Sequence, residues 1–280
     1  MILIVSPKKS LGQNFLIDDN IARNIVRDLQ VTHDDVVVEI GPGKGALTKF
    51  LIPKVGKLIA IEIDSRAIAE LEQQFSSSTV TILHQDFLDF DLASLAAREG
   101  RKLRLVGNIP YYLTSPILLK AFDDHASVRD CTLMVQREVA ERLAADVGTK
   151  EYGILTVYAR FYGSLRKLFD VSPNCFFPKP KVFSSVIQET FAEQVPYNVD
   201  EKLFRTVVRT AFGKRRKTLR NALKYLPFEE QVVSRLADAI AKESPSVFAL
   251  FERRPEQLGV DQFVELTNVV TKQLYTDVEY

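Results

Sequence analysis

Apolar and polar positions fall into two textures over the first two thirds of the chain. Short, nearly continuous apolar runs stand at 36–40 (Val-Val-Val-Glu-Ile), 58–62, 80–83, 103–106 and 131–135. Runs of that length and composition read as strands buried on both faces. Between them, at 46–54, 65–75, 115–122 and 138–145, the apolar residues recur at helical spacing. Strands alternating with helices predict a mostly parallel sheet covered on both sides, a doubly wound α/β fold. Two more strands are expected at 155–161 and 184–190, paired as an antiparallel hairpin at the sheet edge.

The texture changes after about residue 191. The stretch 193–198 (Glu-Gln-Val-Pro-Tyr-Asn) reads as a linker, and no strand pattern follows it. Leu203, Val207, Val208, Ala211 and Phe212 lie at helical spacing, with Gly213 placed to end that helix. Further helices are expected at 218–226, 229–242 and 261–274, punctuated by Pro227, Pro245 and Pro255. The predicted organisation is therefore an α/β domain over 1–191 and a smaller all-helical domain over 192–280, with no internal repeat.

Composition narrows the class. A chain of 280 residues with 46% hydrophobic and 26% charged positions is an ordinary globular sequence. It is neither disordered nor fibrous. No stretch approaches the roughly 20 apolar residues needed to span a bilayer. The opening residues, Met1 to Lys9, put their few apolar positions before their charges, the wrong order for a secretory signal. Two cysteines and three histidines make neither a disulfide framework nor a metal motif. These readings predict a cytoplasmic protein with no metal and no membrane partner, working as a monomer.

Total charge is uninformative, with 37 basic against 36 acidic residues, but its distribution is not. Between Lys202 and Lys224 there are nine basic residues and no acid. A run of that length repels itself unless an anion arrives, which points to a phosphate backbone as partner.

The first strand runs into Gly41-Pro42-Gly43-Lys44-Gly45, where Gly41 and Gly43 let the backbone approach a ligand at a helix N-terminus. Glu62, at the end of the second strand, is placed to accept both hydroxyls of a ribose. A dinucleotide fold uses the same arrangement, with Ala46 in a permitted form of the third glycine position. On this segment alone NAD and S-adenosylmethionine stand level, and a purely structural turn remains a third reading. Asp86, after the third strand, is placed to accept from the exocyclic amine of an adenine ring.

The fourth strand ends in Gly107-Asn108-Ile109-Pro110-Tyr111-Tyr112. In an open parallel sheet this loop sits at the carboxyl ends of the strands, where ligands bind. Asn-x-Pro is common turn chemistry, but a turn does not require an amide, a fixed proline and an aromatic ring together at that edge. An exocyclic amine on a nucleobase does. The Asn108 carbonyl and the Ile109 main-chain carbonyl can accept its two hydrogens, Pro110 offers no competing N–H, and Tyr111 offers a face for stacking. This favours S-adenosylmethionine as cofactor and a base nitrogen as methyl acceptor.

With these segments in place, the sequence resembles the rRNA adenine N6-dimethyltransferases over essentially its whole length, and most of all their small-subunit (16S) branch. The segments that carry the resemblance run from Lys8 to Leu16, from Glu39 to Gly45, through Glu62 and Asp86, and from Gly107 to Tyr111 with Ser115-Pro116-Ile117. Two more follow, the F-x-P-x-P-x-V-x-S pattern from Phe176 to Ser184 and the basic segment from Phe212 to Asn221. The resemblance implies a Rossmann-like methyltransferase fold with a helical RNA-binding domain. It implies cofactor contacts at Asn14, Leu16, Gly41, Glu62, Asp86 and Asn108, and RNA contacts at Lys214, Arg215, Arg216, Lys217 and Arg220. Asn14 and Leu16 come from the resemblance alone, since their segment otherwise reads as loop and core. Phe176 likewise becomes, by resemblance, a second pocket wall opposite Tyr111.

The implied reaction is in-line transfer of a sulfonium methyl to adenine N6, twice per base, on unstacked adenines of an rRNA hairpin loop in the assembling 30S subunit. Glu62 anchors the cofactor and is not a proton acceptor. Three other readings compete. A DNA adenine methyltransferase lacks an obvious sequence-reading domain here. A non-catalytic binding protein does not need the intact Gly41, Glu62, Asp86, Asn108 and Tyr111 set. A large-subunit enzyme fits the Gly12 and 213–217 segments less well.

Overall fold

The computed structural model describes residues 7–8, 12–228 and 245–276. The helix expected at 229–242 and positions 9–11 of the first motif lie outside the described residues. The chain divides into two units. One runs to Glu141 and resumes over Tyr162–Gln194; the other takes Arg142–Phe161 and continues from Val195. The second unit thus recruits a stretch well upstream of the 193–198 linker.

In the first unit the elements in chain order are β1 (Phe15–Leu16), α1 (Asp19–Leu29), β2 (Val36–Ile40), α2 (Thr48–Leu51), β3 (Lys57–Glu62), α3 (Ser65–Gln74), β4 (Val80–His84), α4 (Leu92–Glu99), β5 (Leu103–Asn108), α5 (Thr114–Asp123) and β6 (Val128–Gln136). Then follow α6 (Arg137–Leu143), at the boundary of the units, and α7 (Ile154–Tyr162), all but the last residue of which belongs to the second; back in the first come β7 (Gly163–Val171), β8 (Phe176–Phe177) and β9 (Ser184–Phe191). Seven strands form one sheet in the order β4-β3-β2-β5-β6-β9-β7. The first five of these run parallel, and β9 pairs antiparallel with both β6 and β7. From β2 the chain builds outward to β3 and β4 on one side, then returns to place β5 on the other. That reversal opens a crevice beyond the carboxyl ends of β2 and β5.

The buried strands explain the apolar runs, since all five residues of β2 are buried. Helix α1 packs Ala22, Ile25, Val26 and Leu29 into a core with Val37, Val106 and Val186. Its first turn is capped by Asp18, which accepts from the N–H groups of Asn20 and Ile21. At the opposite end of the sheet from the crevice, Arg104 is 4% exposed. Its guanidinium holds Asp130 at 2.8 Å and Asp35 at 3.1 Å and donates to the Leu29 and Gln30 carbonyls that end α1.

Two expectations are corrected. Residues 155–161 are not a strand but part of α7, and the edge strand is β7, at Gly163–Val171. A short apolar run rich in Val, Tyr and Phe has the same periodicity in a buried helix as in a buried strand. The true strand was masked by Arg166, Lys167 and Asp170, charges suited to an exposed edge. Gly163 allows its tight pairing with β9, since a Cβ there would run into the Thr190 carbonyl oxygen. The helix expected at 46–54 is only the single turn α2, with turns on either side.

The second unit is built on aromatic packing. In α8 (Glu201–Gly213), capped by Asp200, the residues Leu203, Phe204, Val207, Val208 and Ala211 are buried. Phe161 stacks on Phe204 at 3.9 Å and on Tyr197 at 5.3 Å between ring centres. α9 (Leu219–Ala222) continues as a 3₁₀ turn to Tyr225, and α10 (Pro245–Leu250) and α11 (Val260–Thr276) complete the described residues. None of the described helices is long and apolar enough to cross a membrane.

Candidate active site

The loops leaving β2, β3, β4 and β5 surround a cavity of about 290 Å³. Its lining includes Asn14, Leu16, Gly41, Gly43, Glu62, Asp86, Asn108, Ile109 and Pro110. Seven of these were read from the residues themselves and two, Asn14 and Leu16, from the family resemblance alone; the fold brings all nine together.

Gly43 has φ +58°, and a Cβ there would stand 3.0 Å from the Phe15 ring, so only glycine lets the loop lie against β1. Its N–H donates to Glu62 Oε2 at 3.0 Å. Glu62 Oε1 accepts from the N–H groups of Ile63 and Asp64, both at 2.9 Å. A carboxylate has about four lone-pair directions, so one is left, on Oε2. Glu62 therefore has capacity for one further hydroxyl without giving up a backbone partner. Burial pushes its pKa up, and the three N–H donors pull it back. Beside it, the Arg66 guanidinium brings Asp64 down to about 2, and the Gln13 amide donates to the same carboxylate at 3.1 Å. The segment before β1 is thereby tied to the end of β3.

Glu39 lies inside β2, 1% exposed, and lines the cavity. Its Oε2 accepts from the Thr48 hydroxyl at 2.7 Å. Burial, reinforced by the nearby Glu62 charge, raises its pKa to about 8. The folded protein therefore holds a proton there that the unfolded chain releases near its ordinary value of 4.5. The stabilisation is full below that value and is lost as pH rises through about 8. Glu39→Gln is expected to flatten the stability profile between pH 5 and 8 by a few kcal/mol, as urea midpoints across that range would show; an unaltered slope would mean Glu39 ionises freely.

Asp86 follows β4 and lends Oδ1 to the N–H of Leu88 at 2.9 Å, capping the turn Phe87–Asp89. The Asn108 side chain donates from Nδ2 to the Asn14 carbonyl at 3.1 Å. That bond fixes the amide's orientation and leaves Oδ1 as the acceptor. Asn14 in turn donates to the Gly12 carbonyl at 3.3 Å. The Pro110 carbonyl accepts from Leu113 N–H at 2.9 Å, starting the 3₁₀ turn Tyr111–Leu113.

The aromatic residues fall differently from expectation. The Tyr111 hydroxyl is bonded to the buried Ser184 hydroxyl at 2.8 Å, and its half-buried ring does not line the cavity. Burial raises its pKa, keeping it a phenol. Its neighbour Tyr112 is 61% exposed and does line the cavity. Phe176, read as a second wall, is 3% exposed and packs in the core with Leu16, Val171 and Val186. The cause is strand alternation: β8 pairs with β1, and Phe176 takes the inward face. Glu39 and Tyr112 were not singled out as site residues. A lone carboxylate inside a strand of valines was the available signal for Glu39; for Tyr112 it was its adjacency to Tyr111.

In the second unit, Arg215 donates to the carbonyls of Thr149 and Lys150. Lys217 Nζ bonds the Tyr225 hydroxyl at 3.0 Å, and Lys214 lies over the same ring at 4.2 Å. Arg220 pairs with Glu252 at 3.0 Å, whereas Arg216 is exposed with no described contact. Among the described residues, no group of three His, Cys, Asp or Glu could hold a metal.

Comparison with known proteins agrees with this geometry. Residues 4–246 match the family model described as ribosomal RNA adenine dimethylase. The ribosomal RNA small subunit methyltransferase A of Parabacteroides distasonis is 41% identical over 272 residues, 97% of this chain and 96% of the relative. The crystal structure of a dimethyladenosine transferase from Plasmodium falciparum superposes with TM-score 0.77 at 25% identity, covering 92% of this chain and 98% of that one. The fold is shared with the 23S rRNA methyltransferase ErmE, with TM-score 0.63 at 24% identity over 91% of this chain and all of that one.

Proposed function

Since the chain belongs to the ribosomal RNA adenine dimethylase family, we propose that it methylates N6 of two adjacent adenines in a hairpin loop near the 3′ end of 16S rRNA. The product is N6,N6-dimethyladenine, and the substrate is the assembling 30S subunit in the cytoplasm, approached by a monomer. The observation that carries this reading is the Asn108 amide: it is locked by Asn14 at the mouth of β5 with its oxygen free to accept.

The residues present fit S-adenosylmethionine. The space a Cβ of Gly41 would enter is open, with nothing within 4 Å, and the carboxylates of Glu62 and Asp86 belong to residues lining the same cavity. Glu62 would hold a ribose hydroxyl and Asp86 the adenine amine, while Asn14, Leu16, Gly41 and Gly43 supply wall and backbone. When bound, S-adenosylmethionine supplies a sulfonium methyl. Asn108 Oδ1 and the Ile109 carbonyl would accept hydrogens from the target amine and aim its lone pair, with Pro110 adding no competing donor. Tyr111, held by Ser184 beside the cavity and not in its wall, is the proposed stacking face for a base that reaches past the cavity mouth. Phe176 supports this from the core. Most of the rate gain is positioning and electrostatics.

RNA affinity is assigned to the basic segment 214–220. Because Arg215 already serves carbonyls of its own unit, Lys214, Arg216 and Lys217 are the informative positions, with Arg220 a weaker one for its Glu252 partner. Reversing those three to Glu is expected to weaken binding and lower the slope of log affinity against log salt by about 2; an unchanged slope would make the run a solvated face. The reading as a whole is tested by incubating the protein with labelled S-adenosylmethionine and unmethylated small subunits or large-subunit RNA. Label is expected in adenines of the small-subunit RNA; label confined to large-subunit RNA, or to neither, overturns it.

A further inference from the structure

The F-x-P-x-P-x-V-x-S segment has four variable positions, occupied here by Phe177, Lys179, Lys181 and Phe183. The register of the β1–β8 ribbon sets the direction of the first. Phe15 stands opposite Phe177 and Leu16 opposite Phe176. Residues directly opposed across two strands share a face, with Cβ atoms roughly 5 Å apart. Leu16 and Phe176 take the inward face and pack in the core. Phe15 takes the other and lines the cavity. Phe177 must share that outer face, beside the cavity wall, and it is 59% exposed.

Leaving a phenylalanine in water forgoes the favourable transfer that burial would bring, yet the same segment does it twice. Phe183 is 45% exposed, with the Arg137 guanidinium 5.3 Å from its ring centre. Lys179 and Lys181 are exposed between the two rings, and the sequence holds no acid from Val171 to Gln188. Arg137 pairs loosely with the exposed Glu141 at 3.6 Å, whereas among the described residues no ion pair engages Lys179 or Lys181. Exposed aromatic rings interleaved with such cations suit an unpaired nucleic-acid strand: every base has a face to stack, and each cation takes a phosphate. An acidic protein surface would also answer the cations, but the patch adjoins the cavity proposed to take a nucleobase, which favours a nucleic-acid strand.

Resting on the function proposed above, we infer that Phe177 and Phe183 are stacking platforms for the unpaired nucleotides flanking the target adenine. Arg137, Lys179 and Lys181 take the phosphates between them. These rings capture the loop strand and feed the target base into the cavity, without touching the transferred methyl.

The test uses the full-length protein with Phe177→Ala, Phe183→Ala, the double variant and the Phe→Tyr counterparts. Methyl transfer to unmethylated small subunits gives KM and kcat, and S-adenosylmethionine affinity reports on folding. A small-subunit loop RNA with 2-aminopurine on either side of the target adenine reports stacking as quenching. Each alanine is expected to raise RNA Kd and KM by roughly 5- to 100-fold, the range for removing a base-stacking ring. Saturated kcat and cofactor affinity stay near wild type, quenching falls, and tyrosine restores all three RNA readouts. Unchanged KM and quenching in the double variant, with wild-type protein active on small subunits, overturns the platforms alone. Wild-type protein that transfers no methyl to small subunits overturns the functional reading on which they rest.

Discussion

Asn108→Ala is expected to lower kcat for methyl transfer to small subunits by about 10²- to 10³-fold, the loss typical when one group aligned on a reacting centre is removed. Cofactor affinity should change far less, because Glu62, Asp86 and the glycine loop lie on other strands and keep their partners. The amide works through its orientation. With Nδ2 committed to the Asn14 carbonyl, only Oδ1 can meet the acceptor amine. Asn108→Asp makes a sharper probe, since a carboxylate cannot donate to Asn14 and loses the fixed geometry while keeping an acceptor. Single-turnover transfer and equilibrium cofactor binding on the same samples separate the two effects. A variant that turns over at the wild-type rate would remove Asn108 from the mechanism.

The largest effect on stability is expected at Arg104. Substitution by methionine leaves Asp130 without its guanidinium partner and Asp35 with only Arg129, in a region where Arg104 and Asp130 are under 5% exposed. Two carbonyls at the end of α1 lose their donor as well. Breaking a buried pair in this way costs about 3–5 kcal/mol. Adding Asp130→Leu to Arg104→Met should recover part of that, since apolar replacement of a whole buried pair is often neutral. Urea unfolding of wild type, single and double variants gives the comparison. A single variant less than about 1 kcal/mol below wild type would mean that water already reaches the cluster.

What could be read from the chain beforehand follows from where the physics is local. The buried parallel strands were legible because a strand covered on both faces must be apolar throughout, as 36–40 is. The glycine loop, Glu62, Asp86 and Asn108 were legible because sheet topology puts the carboxyl ends of the five parallel strands on one edge. The α7 and β7 exchange was not, because the helix is as apolar as a strand and the strand is as charged as a surface. The pairing of Phe15 and Leu16 with Phe176 and Phe177 was also hidden. It joins two dipeptides far apart in sequence, and two residues carry no period. Without that pairing nothing tells which phenylalanine faces inward: an aromatic before Pro-x-Pro reads by itself as packing, which is where Phe176 lies, and only the resemblance makes it a pocket wall.

The ribbon also has a consequence for how the protein is born. One of its strands opens the catalytic unit and the other nearly closes it. Synthesis proceeds from the N-terminus, and domains generally fold as units. A chain still lacking its Phe176–Phe177 dipeptide can lay down the five parallel strands, yet it has no mate for Phe15 and Leu16. The ribbon, and with it the fixed position of Phe15 and Leu16 in the cavity wall, is thus completed only after every other residue lining the cavity has been synthesised.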